Sequence, residues 1–140
     1  MIVQAHGCFD ILHYGHLLHL KFAKSLGDHL VVTITADQYI TKGPGRPVFN
    51  DAQRAEMLRE LRCVDEVQII HAPDAVTALE AIKPDIYVKG REYEGQLPEL
   101  DFCKTFGIRV VFSDEAVYSS TELLSELKCK ARGILTLGIW

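Results

Sequence analysis

The stretch Ala5-His6-Gly7-Cys8-Phe9-Asp10-Ile11-Leu12-His13-Tyr14-Gly15-His16 decides the fold of this 140-residue chain. An apolar run that starts at Ile2 breaks at Gly7, and apolar residues at helical spacing follow His16. This pattern predicts a strand, a tight turn and the N-terminus of a helix. Such a terminus presents unpaired N–H groups and about half a positive charge, so imidazoles beside it can bind a phosphate together with the backbone.

Apolar runs and helical segments alternate along the rest of the chain. The sequence predicts strands at Ile2–Ala5, Leu30–Thr35, Glu66–Ile70, Ile86–Val88 and Ile108–Phe112, and helices at Tyr14–Leu26, Asp51–Leu61, Ala75–Ile82, Pro98–Phe106 and Ser120–Lys128. Short apolar strands separated by helices indicate βαβ units. We therefore predict an α/β fold with a doubly wound, Rossmann-like, five-stranded parallel sheet and helices on both faces. In such sheets, ligands bind beyond the carboxyl ends of the strands.

The length favours one domain, which we assign to residues 1–130. The apolar end of the chain, residues 131–140, is expected to be a linker to a downstream fused domain. The alternative is a tail packed on this domain or on a second subunit, so a homodimer is compatible with the sequence. A net charge of −4 disfavours a nucleic-acid partner, since binding a polyanion needs a basic face.

Cysteine usage and hydropathy suggest where the protein works. Cys8, Cys63, Cys103 and Cys129 form no C-x-x-C pair, which fits a reducing cytoplasm, and we interpret all four as small buried apolar residues. No apolar run approaches the ~20 residues of a membrane span. We expect a cytoplasmic protein without a membrane partner.

The motif His13-Tyr14-Gly15-His16 resembles the HxGH signature of the nucleotidyltransferase superfamily, and the resemblance extends from about Ile2 to about Leu127. Members attach a nucleoside monophosphate to a phosphate or similar acid and release pyrophosphate. The stretches Lys42–Val48, Arg62–Asp65 and Lys83–Gly90 resemble the adenylyltransferase domain of ADP-heptose synthase. The segment Tyr93-Glu94-Gly95 and the chain length resemble glycerol-3-phosphate cytidylyltransferase.

The resemblance and the local sequence together predict the site residues. We expect His13, His16 and Lys42 to be catalytic, through contacts with the nucleotide phosphates. Predicted nucleotide-binding residues are Gly7, Cys8, Phe9, Asp10, Gly15, Lys89, Gly90, Tyr118, Ser119, Ser120 and Thr121. Predicted acceptor-binding residues are Arg46, Arg54, Arg62 and His19. Mg²⁺ is expected as the cofactor, carried on the phosphates with few protein ligands.

Several residues also have simpler interpretations. Asp10 suits a turn or helix cap as well as a nucleotide site, and Ser119 or Ser120 suits the N-cap of the last helix. His13, His16 and His19 have a spacing that a zinc site could use, but a zinc site is disfavoured because a further ligand in suitable geometry is lacking. We therefore predict no protein-held metal.

Three further histidines, His6, His29 and His71, lack such a context and are interpreted as ordinary residues. Asp114 stands where the glycerol-3-phosphate enzymes have an arginine, which leaves recognition of the base and the ribose open.

The favoured function is transfer of CMP from CTP to a small phosphate or phosphonate. With the expected downstream domain, the chain resembles the N-terminal cytidylyltransferase domain of the fosfomycin-pathway enzyme that is fused to phosphoenolpyruvate mutase, and this resemblance implies 2-hydroxyethylphosphonate as the acceptor. One alternative is an adenylyltransferase of the ADP-heptose synthase type, which acts on a sugar 1-phosphate. The alternative from another class is a nucleotide-binding module without turnover.

Overall fold

The computed structural model describes residues 1–114 and 124–128. Its strands are β1 (Ile2–Gly7), β2 (His29–Thr35), β3 (Glu66–Ile70), β4 (Ile86–Gly90) and β5 (Arg109–Ser113). The helices that alternate with them are α1 (Tyr14–Ser25), α2 (Asp51–Arg59), α3 (Ala75–Ile82) and α4 (Leu100–Thr105), and residues 124–128 are also helical. Short 3₁₀ turns cover Asp37–Tyr39 and Arg91–Tyr93. The predicted strands and the first four predicted helices are confirmed.

All five strands are parallel, in the order β3-β2-β1-β4-β5. The chain runs outward from β1 through β2 to β3 and then returns to the other side of β1 with β4. The strand order therefore reverses between β1 and β4, which leaves a crevice at their carboxyl ends. The predicted doubly wound sheet is confirmed, and this crevice lies directly after Gly7 and Gly90.

Two apolar cores cover the two faces of the sheet. Side chains alternate between faces along a strand, so Ile86 and Val88 of β4 join the core beneath α1 and α2, whereas Tyr87 joins the other. The second core includes Leu79 of α3 and Cys103 of α4. This arrangement explains why the strands are apolar on both faces, as expected for a parallel sheet covered by helices.

A buried ion-pair network joins the turn after β1 to the segment between β2 and α2. The Asp10 carboxylate accepts hydrogen bonds from Arg46 Nε (2.6 Å), Val48 N (2.9 Å) and Phe49 N (3.0 Å), and its side chain is fully buried. Asp10 is thus neither a cap of α1 nor a simple turn residue. It fixes the course of the second loop beside the first.

Arg54 of α2 completes the network from the other side. Its buried guanidinium donates to the carbonyls of Cys8 (2.8 Å) and Phe49 (3.0 Å) and to the Asp37 carboxylate (2.7 Å). The helix that carries Arg54 begins with a capping box in which Asn50 Oδ1 accepts from the Gln53 amide and Gln53 Oε1 accepts from the Asn50 amide. A rigid helix start therefore holds the arginine against the Cys8 carbonyl.

The predictions about the cysteines, about membrane spans and about residues 131–140 have different outcomes. Cys103 is buried, but Cys8 and Cys63 are only partly buried, so the interpretation of the cysteines as core residues is wrong for these two, while Cys129 lies outside the described residues. Within residues 1–114 and 124–128, no helix is long and apolar enough to cross a bilayer. The proposed linker at 131–140 also lies outside the described residues.

We expect Arg54→Lys to lower the free energy of unfolding by about 2–4 kcal/mol, because one ammonium cannot reach three acceptors and each buried acceptor left unpaired costs about 1–3 kcal/mol. Urea denaturation followed by circular dichroism measures the change. The matched control is Arg62→Lys, since Arg62 is exposed and surface changes usually stay within about 0.5 kcal/mol. Equal stability of the two variants would contradict the bracing role of Arg54.

Candidate active site

A pocket of about 240 Å³ occupies the crevice between the carboxyl ends of β1 and β4. Its lining residues are His6, Gly7, Cys8, Phe9, Asp10, His13, Gly15, His16, His19, Lys42, Lys89, Gly90, Glu92 and Tyr93. Eleven of these are predicted site residues, and only His6, Glu92 and Tyr93 are not. The structure thus brings together residues from both sides of the point where the strand order reverses.

The two histidines of the HxGH motif lie together at the N-terminus of α1. His13 is the N-cap residue, in extended conformation, and its N–H donates to His16 Nδ1 at 3.3 Å. The rings stack with centroids 3.8 Å apart and planes inclined by 20°. Because Nδ1 of His16 accepts this bond, the neutral ring carries its proton on Nε2 and can donate a hydrogen bond from that atom.

Phe9 shapes the turn that precedes these histidines. Its backbone has φ = 49°, a left-handed conformation that is unusual for a bulky residue, and its ring centroid lies 5.0 Å from that of His16. A Cβ at Gly7 would lie 3.0 Å from the Phe9 ring. Gly7 therefore leaves room for the ring that packs against His16, and such strained residues are typical of functional sites.

Burial keeps the pocket histidines neutral. It lowers the pKa of His16 to about 3, helped by the positive charges that His13, His19 and Lys42 would place beside it. Burial also lowers the pKa of His13, and burial together with the charge of Lys89 lowers the pKa values of His6 and His19 to about 4. The lysines that line the pocket are Lys42 and Lys89; burial lowers the pKa of Lys89, while the nearby carboxylates of Glu99 and Glu92 act to raise it.

The loop between β2 and α2 brings one of its two predicted cations to the pocket. Lys42 lines the pocket, and its charge is felt by both Cys8 and His16. Arg46 instead turns inward to Asp10, and its side chain is only 8% exposed. Burial acts to raise the pKa of Asp10, but the amides of Phe49 and Val48 together with Arg46 outweigh it and lower that pKa. The role predicted for Arg46, contact with the acceptor, is replaced by one in holding the loop.

Two other predicted acceptor-binding arginines do not reach the pocket. The guanidinium of Arg54 donates its hydrogen bonds to the carbonyls of Cys8 and Phe49 and to the Asp37 carboxylate. We therefore correct its predicted role from acceptor binding to a structural one. Arg62 is exposed in the turn that leads from α2 into β3. That turn lies at the amino ends of the strands, where the Asp65 amide bonds the carbonyl of Leu30 at the start of β2. Arg62 is therefore at the opposite edge of the sheet.

The residues after β5 include four that were predicted to bind the nucleotide. Tyr118, Ser119, Ser120 and Thr121 lie outside the described residues, so their predicted contacts with the nucleotide stay predictions. Asp114, just after β5, pairs with the Arg91 guanidinium. An arginine is thus present near this edge, but it comes from the segment after β4.

The sequence interpretation missed three lining residues. His6 was interpreted as ordinary, yet it lies at the carboxyl end of β1 and its ring Nδ1 is 2.9 Å from Thr33 Oγ1. Glu92 and Tyr93 follow β4, and a Cβ at Gly90 would overlap the Glu92 carboxylate. Their position at the carboxyl ends of strands was the available signal, because His6 stands one residue before Gly7.

The pocket offers few side chains that could bind a metal ion. Among the residues that the structure describes, no group of three or more His, Cys, Asp or Glu side chains could hold an ion. The Asp10 carboxylate is engaged by Arg46, Val48 and Phe49, which leaves Glu92 as the other carboxylate in the pocket lining.

Similarity to known proteins extends over most of the chain. The model of the cytidylyltransferase-like family matches residues 5–128. The chain is 42% identical over 113 residues to the bifunctional protein HldE of Streptomyces coelicolor, which covers 79% of this chain and 24% of that protein. It is 37% identical over 130 residues to the bifunctional protein HldE of Helicobacter pylori, with 91% and 27% covered. The chain spans about a quarter of the length of these curated relatives.

Solved structures show the same fold. The lipopolysaccharide core biosynthesis protein of Thermoplasma volcanium superposes with a TM-score of 0.67 at 32% identity, covering 80% of this chain and 94% of that one. The pantothenate synthetase of Thermus thermophilus, at 17% identity, has a TM-score of 0.56 and covers 95% and 67%. This second likeness concerns the fold alone.

We expect the free energy of unfolding to fall as the pH is lowered from about 6.5 toward 4. His6, His16 and His19 are neutral when folded and take up protons on unfolding, so each contributes a slope of up to about 1.4 kcal/mol per pH unit in that window. Urea unfolding at several pH values measures the slope. Replacing His19 by Asn should remove up to about one such increment; an unchanged slope would mean that His19 is not held neutral.

Proposed function

Because the chain belongs to the cytidylyltransferase-like family, we propose that this nucleotidyltransferase transfers AMP from ATP to a sugar 1-phosphate and releases pyrophosphate. The observation that carries the proposal is the stacked pair of His13 and His16 at the N-terminus of α1, in a pocket that also contains Lys42 and Lys89. The helix dipole, the N–H donors and the two lysine side chains together suit a polyphosphate.

The choice of ATP and a sugar phosphate has support from the relatives. The similarity to HldE proteins agrees with the resemblance of Lys42–Val48 and Lys83–Gly90 to the adenylyltransferase domain of ADP-heptose synthase. These findings favour the adenylyltransferase alternative over the CTP-dependent enzyme acting on 2-hydroxyethylphosphonate. Because the chain covers only about a quarter of those relatives, substrate and acceptor remain our proposal, as do a fused downstream domain and a homodimer.

The proposed reaction is an in-line displacement at the α-phosphorus. An oxygen of the acceptor phosphate attacks, a new P–O bond forms, and the bond between the α-phosphorus and the bridging oxygen to the β-phosphate breaks. The electron pair leaves with pyrophosphate. The attacking oxygen is already anionic at neutral pH, so the step needs neither a general base nor a covalent enzyme intermediate. Catalysis then consists of positioning and of stabilising the charge that moves to the leaving group.

Different pocket residues position the phosphates and stabilise the developing charge. The His16 ring is oriented before the ligand arrives by the His13 amide, by a hydrogen bond with the Ile11 backbone and by the Phe9 ring, and in our proposal it donates to a phosphate oxygen. Because the imidazole is neutral, it acts as a hydrogen-bond donor and not as a proton donor. Lys42, on the exposed loop, can approach the phosphates from the solvent side and neutralise the leaving group.

Mg²⁺ is the proposed cofactor, and the donor set fits an ion carried mainly by the nucleotide. With Asp10 engaged by the loop, the protein offers Glu92 as an additional carboxylate, and Mg²⁺ commonly keeps several waters when it binds substrate phosphates. When bound, it would neutralise charge on the triphosphate.

Pyrophosphate release with a matrix of substrates tests the proposal. ATP and CTP are compared at equal subsaturating concentrations, each with a sugar 1-phosphate and with 2-hydroxyethylphosphonate. We expect the highest kcat/KM for ATP with the sugar 1-phosphate. A preference for CTP with the phosphonate would restore the cytidylyltransferase function, and nucleotide binding without pyrophosphate release from any pair would identify a binding module.

Replacement of His16 by Ala should lower kcat by about two to three orders of magnitude, the usual cost of losing one preorganised donor to developing charge. The far-ultraviolet circular dichroism spectrum should not change. The control is His71→Ala, since His71 is exposed and does not line the pocket. A His16→Ala enzyme that retains more than about a third of the wild-type rate would refute this role, since one lost donor costs about 100-fold or more.

Replacement of Lys42 by Ala should leave stability unchanged, because this exposed side chain packs little. It should lower kcat more than nucleotide affinity if its contacts strengthen in the transition state. Steady-state kinetics and nucleotide titration separate the two effects, with the exposed Lys104→Ala on α4 as the control. Equal losses in rate and affinity would mark a contact made uniformly in ground and transition states.

A further inference from the structure

A second group of polar side chains lines the pocket apart from the HxGH histidines. It consists of His6 on β1, His19 on α1 and Lys89 on β4, which we call the inner cluster. Lys89 Nζ donates to the His6 carbonyl at 3.3 Å and lies 4.3 Å from the centre of the Tyr93 ring. The charge of Lys89 lowers the pKa values of both histidines, so the three groups lie within electrostatic reach of one another.

A buried hydrogen-bond chain fixes the ring of His6. Gln4 Nε2 donates to Thr33 Oγ1 at 3.0 Å, and Thr33 Oγ1 lies 2.9 Å from His6 Nδ1. The single hydroxyl proton of Thr33 has a much longer alternative in the Ala5 carbonyl, at 3.5 Å, so it is best placed on His6 Nδ1. The proton of the neutral His6 ring is then on Nε2, which makes this atom a donor.

His19 adds a polar atom that lacks a protein partner. Its Nδ1 is buried, and no residue within 1–114 or 124–128 forms a hydrogen bond with it. Buried polar atoms are normally bonded, so this nitrogen calls for a ligand or a water. His19 lies one turn beyond His16 on α1, about 4.5 Å further along the helix axis, and therefore faces a different part of the pocket.

We propose that His6, His19 and Lys89 bind the phosphate of the acceptor, and that Thr33 positions His6 for this contact. The inference rests on the proposed function, since an in-line reaction needs separate donors for the attacking and the leaving side of the α-phosphorus. The N-terminus of α1, His16 and Lys42 serve the triphosphate. The inner cluster supplies the Lys89 amine and two imidazoles for a second anion. Lys89, predicted to bind the nucleotide, is thereby reassigned to the acceptor.

Steady-state kinetics with the two substrates varied separately test this assignment. His6→Asn and His19→Asn should each raise KM for the acceptor by about tenfold, the cost of one hydrogen bond to a charged group, and change KM for ATP by less than about twofold. His71→Asn is the matched control and should change neither. A rise in KM for ATP, or unchanged constants for both substrates, would overturn the proposal.

The positioning role of Thr33 is tested by a matched pair of variants. Thr33→Val removes the hydroxyl at similar volume and should raise KM for the acceptor, whereas Thr33→Ser keeps the hydroxyl and should restore it. Both substitutions change packing in the core, so an equal effect of the two on KM would show that Thr33 acts through packing and not through His6.

A binding experiment separates this inference from the proposed function. Inorganic phosphate is titrated into protein saturated with α,β-methylene ATP, and the ring nitrogens of the histidines are followed by ¹⁵N NMR. Shifts at His6 and His19 support the inner cluster even if no tested sugar phosphate is a substrate. Saturable shifts confined to other histidines, or no shifts up to high phosphate concentration, would refute it.

Discussion

The buried contacts of Asp10 and Arg54 are the constraint on which the site depends. Asp10 draws Arg46, Val48 and Phe49 toward the turn after β1, while Arg54 binds the Cys8 carbonyl of that same turn. Two loops from neighbouring strands are thereby held as one unit, although each is irregular. Their relative position places Lys42 opposite the start of α1. Burying an unpaired charge lowers the free energy of unfolding. Here the Asp10 carboxylate is paired, because it accepts hydrogen bonds from the Arg46 guanidinium and from the amides of Val48 and Phe49.

Neutral imidazoles suit this preformed pocket. Burial lowers the pKa values of His6, His16 and His19, so these rings enter the site as donors that need no counterion. In the proposed reaction, a triphosphate and an acceptor phosphate bring a large negative charge, which the two lysines and the helix dipole offset only in part. Donors fixed by the protein can stabilise the remaining charge without rearranging during the reaction. The lysines and the helix dipole thus supply positive charge, while the neutral histidines supply oriented hydrogen-bond donors.

The fold and most of the residues that line the pocket could be predicted from the sequence, because the signals for them are local. The apolar periodicity and the turn at Gly7 are local signals, and parallel strands place their following segments at one edge, so the positions of His13, Lys42 and Lys89 could be predicted together. Arg54 could not be interpreted in this way, because its partners Cys8 and Phe49 approach it only in the folded chain. His6 could not be recognised from the motif, because it belongs to the strand before it. Its place in the pocket comes from its position near the carboxyl end of β1. The base and the acceptor depend on a few side-chain contacts that no local pattern reveals.

The central claim is that a preformed pocket between β1 and β4 holds the nucleotide phosphates at the start of α1. The most direct test is a crystal structure with Mg²⁺ and α,β-methylene ATP. Our account predicts phosphate oxygens within hydrogen-bond distance of His16 Nε2 and the first amides of α1, with Asp10 still bound to Arg46. A nucleotide bound instead in the groove lined by Phe49 and Met57, or one that displaces Arg46 from Asp10, would contradict it.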